Sequence, residues 1–295
     1  MSSHNPTKGG RSDASFVCPS CGASSRGRFC SVCGERKLGS EDRSLRHYIG
    51  IVAGFLTHFD SKGYRSLRYL FTKPGFLSVE QLRGSRVRYA KPLSLFISIN
   101  IVYYFSITLI GANTFTTPLS VQLYQNDYYP ALAVRQVARH LSANPIDFAT
   151  LESRYNERTN VLSKTLIFLF VPIFAFIFYG LFLGRRLYLV EHAIVATHLW
   201  SFILLLLAVV VPLIALVGMW SFNAASPGAF LASNDSPISV FLQVCIAVYL
   251  ALMLRRVYAA SYGYCVGIAL VIAWSFFHIV WLYRFFLFII TLHSL

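Results

Sequence analysis

Residues 18–34, CPSCGASSRGRFCSVCG, hold the densest chemistry in the chain: two Cys-x-x-Cys pairs, Cys18 with Cys21 and Cys30 with Cys33, separated by eight residues. Each pair is followed by a glycine, Gly22 and Gly34. Two thiolates at this spacing chelate one tetrahedral ion when the backbone turns tightly between them, and the glycine relieves the crowding of that turn. Two such knuckles make a four-thiolate zinc site. An all-cysteine donor set leaves no position for water, so the ion is structural rather than catalytic. A redox dithiol and an iron centre are the competing readings of the same spacing. So short a segment buries no core of its own, and the metal must supply most of its folding free energy, on the order of 10 kcal/mol or more.

Reactive groups are sparse elsewhere. There is no nucleophile elbow, Walker loop, His-Glu-x-x-His or Rossmann glycine pattern. Polar residues inside apolar runs are Asn100, Tyr104, His198, Gln243, His278 and Arg284, and none is a carboxylate, which weighs against ion-coupled transport. Asn100 and Gln243 read as interhelical hydrogen-bonding groups, and Arg284 as a side chain reaching the outer interface. His198 and His278 read as satisfied core histidines, with a haem or ligand pocket as the rival. Glu191 and His192 are adjacent, hence about 100° apart on a helix, and read as a helix-start acid beside an interfacial histidine.

The elements around these groups are announced by composition. The 295 residues are 56% hydrophobic and 13% charged, which describes a polytopic membrane protein. The formal charge of +14 is lopsided: residues 1–91 hold 16 of the 26 Lys and Arg and 6 of the 12 Asp and Glu. Eight of those cations, Lys62, Arg65, Arg68, Lys73, Arg83, Arg86, Arg88 and Lys91, stand against the single acid Glu80 just before the first apolar run. Such a cluster stays cytoplasmic and leans on anionic lipid at roughly 1 kcal/mol per side chain. No secretory signal peptide precedes it, and in a reducing compartment the paired cysteines read as metal ligands rather than disulfides. Arg26, Arg28, Arg36 and Lys37 flank the knuckles, but no aromatic ladder interleaves them, so nucleic acid is the weaker reading; Phe29 is assigned to the core of the module.

Residues 1–15 read as a polar, disordered leader and 16–37 as a zinc ribbon. Residues 45–91 read as cytoplasmic amphipathic or interfacial helices: a first at 45–59, containing His47 and His58, and a second at 61–71. Asp60 N-caps the second, with Tyr64, Leu67, Leu70 and Phe71 inward; Pro74 stops it, and Ser78 with Gln81 forms a capping box for one more turn. Residues 92–295 make the membrane part, with spans at Leu93–Gly111, Thr165–Leu183, Ala193–Trp220, Ile238–Leu254 and Cys265–Leu292. Pro172 and Pro212 are kink points. The loop 112–163 forms a helical cap that runs into the second span, with helix starts at Pro130 and at Asn144–Pro145. Arg185, Arg186, Arg255 and Arg256 fall in the two cytoplasmic turns, which leaves the C-terminus outside.

The paired CxxCG knuckles, an aspartate opening a helix, KPG at Lys73–Gly75, and G-x-R-x-x-Y-x-x-P at Gly84, Arg86, Tyr89 and Pro92 together resemble an uncharacterised bacterial inner-membrane family, the domain of unknown function catalogued as three-six-six-seven. The resemblance implies an inner-membrane protein with a cytoplasmic zinc ribbon and brings no activity with it. The expectation is therefore an all-α polytopic membrane protein, non-enzymatic, in which a zinc-ribbon head and basic platform dock a cytoplasmic protein partner or anionic membrane lipid as an adaptor or regulator. The alternative is a small transporter, channel or lipid-handling protein using a cavity among Asn100, His198, Gln243 and His278. A third reading is a membrane enzyme drawing on His58, Asp60, Glu80, Glu191 or His192.

Overall fold

The computed structural model describes residues 15–34, 61–85, 87–110, 115–124, 129–144, 146–233 and 235–295. The leader up to residue 14, the expected helix 45–59 with His47 and His58, the Asp60 cap, Arg36, Lys37 and Arg86 lie outside the described residues.

Among the described residues, five helices are long and apolar enough to cross a membrane: Pro92–Ile110, Phe148–Leu181, Leu189–Phe222, Pro237–Tyr258 and Tyr262–His293. Apart from the polar first half of Phe148–Leu181, they are apolar all the way round, so burying one face leaves another greasy face uncovered. Leu109 is 85% exposed and Trp220 80% exposed. Exposed apolar surface on that scale is at home in hydrocarbon, where helices satisfy their own backbone hydrogen bonds. The chain is thus an all-α membrane protein, with a two-stranded antiparallel sheet of β1 (Ser15–Val17) and β2 (Ser24–Arg26) confined to the cysteine-rich head.

The other elements are α1 (Ser61–Thr72), α2 (Phe76–Arg83), α3 (Pro92–Ile110), α4 (Leu119–Tyr124), α5 (Pro130–Ala143), α6 (Phe148–Leu166), α7 (Phe170–Leu181), α8 (Leu189–Leu205), α9 (Val211–Phe222), α10 (Pro227–Ser233), α11 (Asp235–Tyr258) and α12 (Tyr262–His293). The third span is the axis of the bundle: 56% of its most apolar stretch is buried, against 28–44% for the others. Its Trp200 is wholly enclosed, stacked on Phe170 at 4.1 Å between ring centroids and edge-on to Phe174 at 5.4 Å. Phe202 stacks on Tyr249 at 3.6 Å and joins it to the fourth span.

Both prolines mark a change of helix type. A 3-10 turn, Ile167–Leu169, separates α6 from α7 ahead of Pro172, and a π-helical turn, Leu206–Val210, separates α8 from α9 ahead of Pro212. Proline offers no N–H to the carbonyl one turn back and its ring crowds that carbonyl, so the turn upstream tightens or widens around it.

Helices α4, α5 and α6 build the expected cap at the end where α12 finishes, with Leu123, Val137, Leu151 and Tyr155 packed on Phe288 and Leu292. The cap feeds directly into the second span, whose helix begins at Phe148 rather than near Thr165. The expected start at Asn144–Pro145 is corrected: Asn144 closes α5 by donating its backbone N–H to the His140 carbonyl. The start of α6 belongs to Asp147, whose carboxylate accepts the Thr150 N–H at 3.3 Å and the Thr150 hydroxyl at 2.5 Å.

Candidate metal centre and the platform beneath it

Each knuckle closes in the same way. The Gly22 N–H donates to the Cys18 carbonyl at 2.8 Å and the Gly34 N–H to the Cys30 carbonyl at 3.0 Å. Both glycines sit in the left-handed region, at φ 75° and 73°, which a side chain at Cβ would strain. The two equal turns face their thiols inward, so that all four sulfurs lie within 4.8 Å of one another, with Cys18 and Cys33 3.5 Å apart and Cys21 and Cys30 3.6 Å apart. Four soft donors at that separation could hold a metal ion. The β2 residue Ser25 donates its hydroxyl to the Cys30 sulfur at 3.4 Å and accepts the Ser31 N–H at 3.2 Å. That hydroxyl, helped by backbone N–H groups, lowers the Cys30 thiol to about 6, favouring the thiolate that a metal binds. The head departs from expectation at Phe29, which is 59% exposed rather than core.

Beneath the head lies the basic segment. The Ser20 hydroxyl, on the first knuckle, meets the Ser85 hydroxyl at 3.0 Å in a buried contact just past α2. Lys62, Arg65, Arg68, Lys73, Arg83, Arg88 and Lys91 are all exposed, and Arg83 also pairs with Glu80 at 3.5 Å. On α1, Leu70 is buried with Leu67 packed beside it, but Tyr64 is 71% exposed and Phe71 half exposed, so the apolar stripe is narrower than the sequence pattern implies. The inward place expected for Tyr64 goes to Ser66, whose hydroxyl accepts the Ala90 N–H at 2.9 Å and donates to the Lys62 carbonyl at 2.8 Å.

Sequence reasoning missed what α2 does. Lys73 to Phe76 form a β-turn closed by the Phe76 N–H on the Lys73 carbonyl at 3.0 Å, with Gly75 at φ 75°, ψ −9°. Proline second and glycine third is the type II arrangement. The turn lies against the end of α11: Arg256 donates to the Pro74 carbonyl at 2.6 Å, and a Cβ on Gly75 would come within 2.9 Å of the Met253 carbonyl oxygen. The chain then enters α2, which packs against both α8 and α11. Ser78 caps nothing; it lies inside α2, and its buried hydroxyl bonds His198 Nδ1 at 2.9 Å. Gln81, the other half of the expected capping box, donates to the Ala90 carbonyl at 3.3 Å. Tyr69, Phe76 and Tyr89 form a ring cluster at 5.0–5.9 Å, covered by the Lys73 ammonium 4.9 Å from Tyr69. Burial pushes the Tyr89 hydroxyl above its ordinary range, with the Glu80 carboxylate adding to it. The KPG and Tyr89 motif residues are therefore builders of the platform rather than reactive groups.

The remaining polar residues do not converge. His198 is fixed by Ser78, while Asn100 is buried in the first span. His278 is exposed on α12 with its ring against Trp274 at 5.0 Å. Gln243 lines a cleft together with Arg284. Glu191 accepts the Tyr188 N–H at 2.8 Å as a helix-start acid. His192 is fully buried, its Nδ1 2.8 Å from the Tyr258 hydroxyl. These two acid and base candidates are thus occupied in structural contacts.

No curated protein and no solved structure matches the chain. Residues 60–104, the segment that makes α1, α2 and the opening turns of α3, match the family described as "Protein of unknown function (DUF3667)", the one that the motifs resemble.

Proposed function

We propose that the protein is a non-enzymatic adaptor of the bacterial inner membrane whose zinc-clasped head docks a cytoplasmic protein while the basic platform holds anionic lipid. The observation that carries this is the two-sidedness of the head. One knuckle is seated on the platform through Ser20 and Ser85. Val17, Phe29 and Val32 remain 70%, 59% and 71% exposed on a module described over residues 15–34. Apolar side chains left open on so small a unit mark a contact surface. Zinc fits the donor set because four thiolates on two turns suit a closed tetrahedral ion.

The platform shares an end of the bundle with Arg185, Arg186, Arg255 and Arg256, as the Arg256 bond to Pro74 and the Arg185 bond to the Ala259 carbonyl at 3.2 Å show. Cations gathered at one end support a cytoplasmic setting for that end, with the head inside and the C-terminus in the periplasm. Metal analysis of the purified full-length protein should give one zinc per chain. A photo-crosslinker at Phe29 should capture a protein partner from intact membranes, and changing all four cysteines to serine should remove both the metal and the crosslink. An unchanged crosslink in that variant would sink the adaptor reading.

A further inference from the structure

We infer that the exposed face of α12 is the contact surface for a second copy of this chain, and that two copies pair through His278 within the bilayer. His278 lies 16 residues past Tyr262, where α12 begins, and 15 before its end at His293, about 24 Å and 23 Å along the axis. Hydrocarbon about 30 Å thick, centred on this span, therefore surrounds it. The side chain is exposed on the surface of the chain, with its ring against that of Trp274 at 5.0 Å. Among the described residues the imidazole makes no hydrogen bond. An imidazole turned to lipid forfeits both of the hydrogen bonds it makes in water, which is why such groups in a span face protein or a cavity.

The same face carries a second feature that the fold of one chain does not use. Gly263, Gly267, Val271, Trp274 and His278 follow one another at steps of four, four, three and four residues, which keeps them on one stripe of the helix, and all five are exposed. A Cβ on Gly263 or Gly267 would meet nothing within 4 Å. Packing within the chain thus requires neither glycine, although glycine inside a helix is less favourable than alanine. Two glycines four residues apart on an open span let another helix approach closely.

A second copy is the partner that this surface complements. Copies insert in the same direction, so two α12 helices meet in parallel, with His278 of one copy level with that of the other. Their charge distributions then match: the ring N–H of one imidazole, partially positive, meets the bare nitrogen of the other, partially negative. A twofold interface needs a surface that fits itself in this way. These residues lie outside the head and platform, so the inference does not depend on the adaptor reading.

The test places a photo-crosslinker at Val271 of the full-length protein in intact membranes. Illumination should give a band at twice the mass of the chain, whereas the same crosslinker at Phe176, exposed on α7, should not. Single-molecule photobleaching of labelled protein diluted into phosphatidylcholine vesicles then reads the strength of pairing. His278→Leu should weaken it about three- to tenfold, the worth of an interhelical hydrogen bond in a membrane. Gly267→Leu should weaken it as well, by holding the helices apart. Both changes lie on an exposed face, so thermal unfolding of the detergent-solubilised monomer should not move, which separates lost pairing from lost folding. A Val271 crosslink only to lipid, to a different protein or to residues 35–60 of its own chain, equal bands from Val271 and Phe176, or unchanged pairing in both variants would each overturn the assignment.

Discussion

Ser78 and His198 are 120 residues apart and share one buried hydrogen bond, so each is expensive to leave without the other. Replacing Ser78 with alanine should destabilise the protein by about 1–3 kcal/mol, because a buried imidazole nitrogen loses its partner. The double variant Ser78→Ala, His198→Leu should lose less than the two single changes added together, read by thermal unfolding in detergent. Additive losses would show that the pair is not coupled. Asp147 supports a second prediction. Its bonds from the Thr150 hydroxyl and backbone N–H hold its carboxyl below the usual range, so the cap contributes stability above the ordinary carboxylate pKa of about 4 and loses it as pH falls through the lower folded value. The Tm gap between wild type and Asp147→Ala should be open at neutral pH and close in acid; a pH-independent gap would count against the cap. At this scale legibility follows sequence distance. The four cysteines could be read because a knuckle is local, four residues and a glycine. Ser78 looked like a capping residue because the histidine it meets lies in the third span and no local pattern announces it.

The same contrast holds for elements. The five spans were legible because length and hydropathy are properties of a single segment, and the prolines placed the irregular turns. The boundary of the second span was not: α6 is a largely polar helix whose continuation into α7 is decided by packing of Leu151 and Tyr155 on Phe288, beyond what hydropathy records. α1 misled in a different way, since a period of 3.6 finds an apolar face but not which of its members the neighbouring chain covers; Ser66, bonded to Ala90, is inward where Tyr64 is expected. The KPG turn offers the sharpest element-scale test. Gly75 is left-handed and pressed against the Met253 carbonyl, so Gly75→Ala adds about 1–2 kcal/mol of backbone strain to a clash with main chain that has no flexible end to yield. The variant should unfold at lower temperature and should expose α2 to protease, whereas Gly180→Ala, with open space around it, should behave as wild type. Equal stability of the two variants would show that the turn is not wedged against α11.

For the whole molecule, the charge asymmetry and the fold make one argument. The first 91 residues carry an excess of ten cations, and the fold adds the two arginine turns to the same end by tying Arg256 to Pro74 and Arg185 to Ala259. An odd number of spans then separates the head from the C-terminus, and α12 ends at His293 against the helical cap. Reversing the proposed orientation would carry the platform and both arginine turns across the bilayer together, at a cost that grows with each cation. Fluorescent-protein fusions after residues 186 and 256 should therefore glow in the cytoplasm, while alkaline phosphatase after Leu295 should be active outside it. Replacing Arg185, Arg186, Arg255 and Arg256 with glutamine should weaken this bias only partly, since the platform alone retains its own cations. An active phosphatase at residue 186, or a fluorescent C-terminal fusion, would mean that the cationic end faces out and that no cytoplasmic partner meets the head.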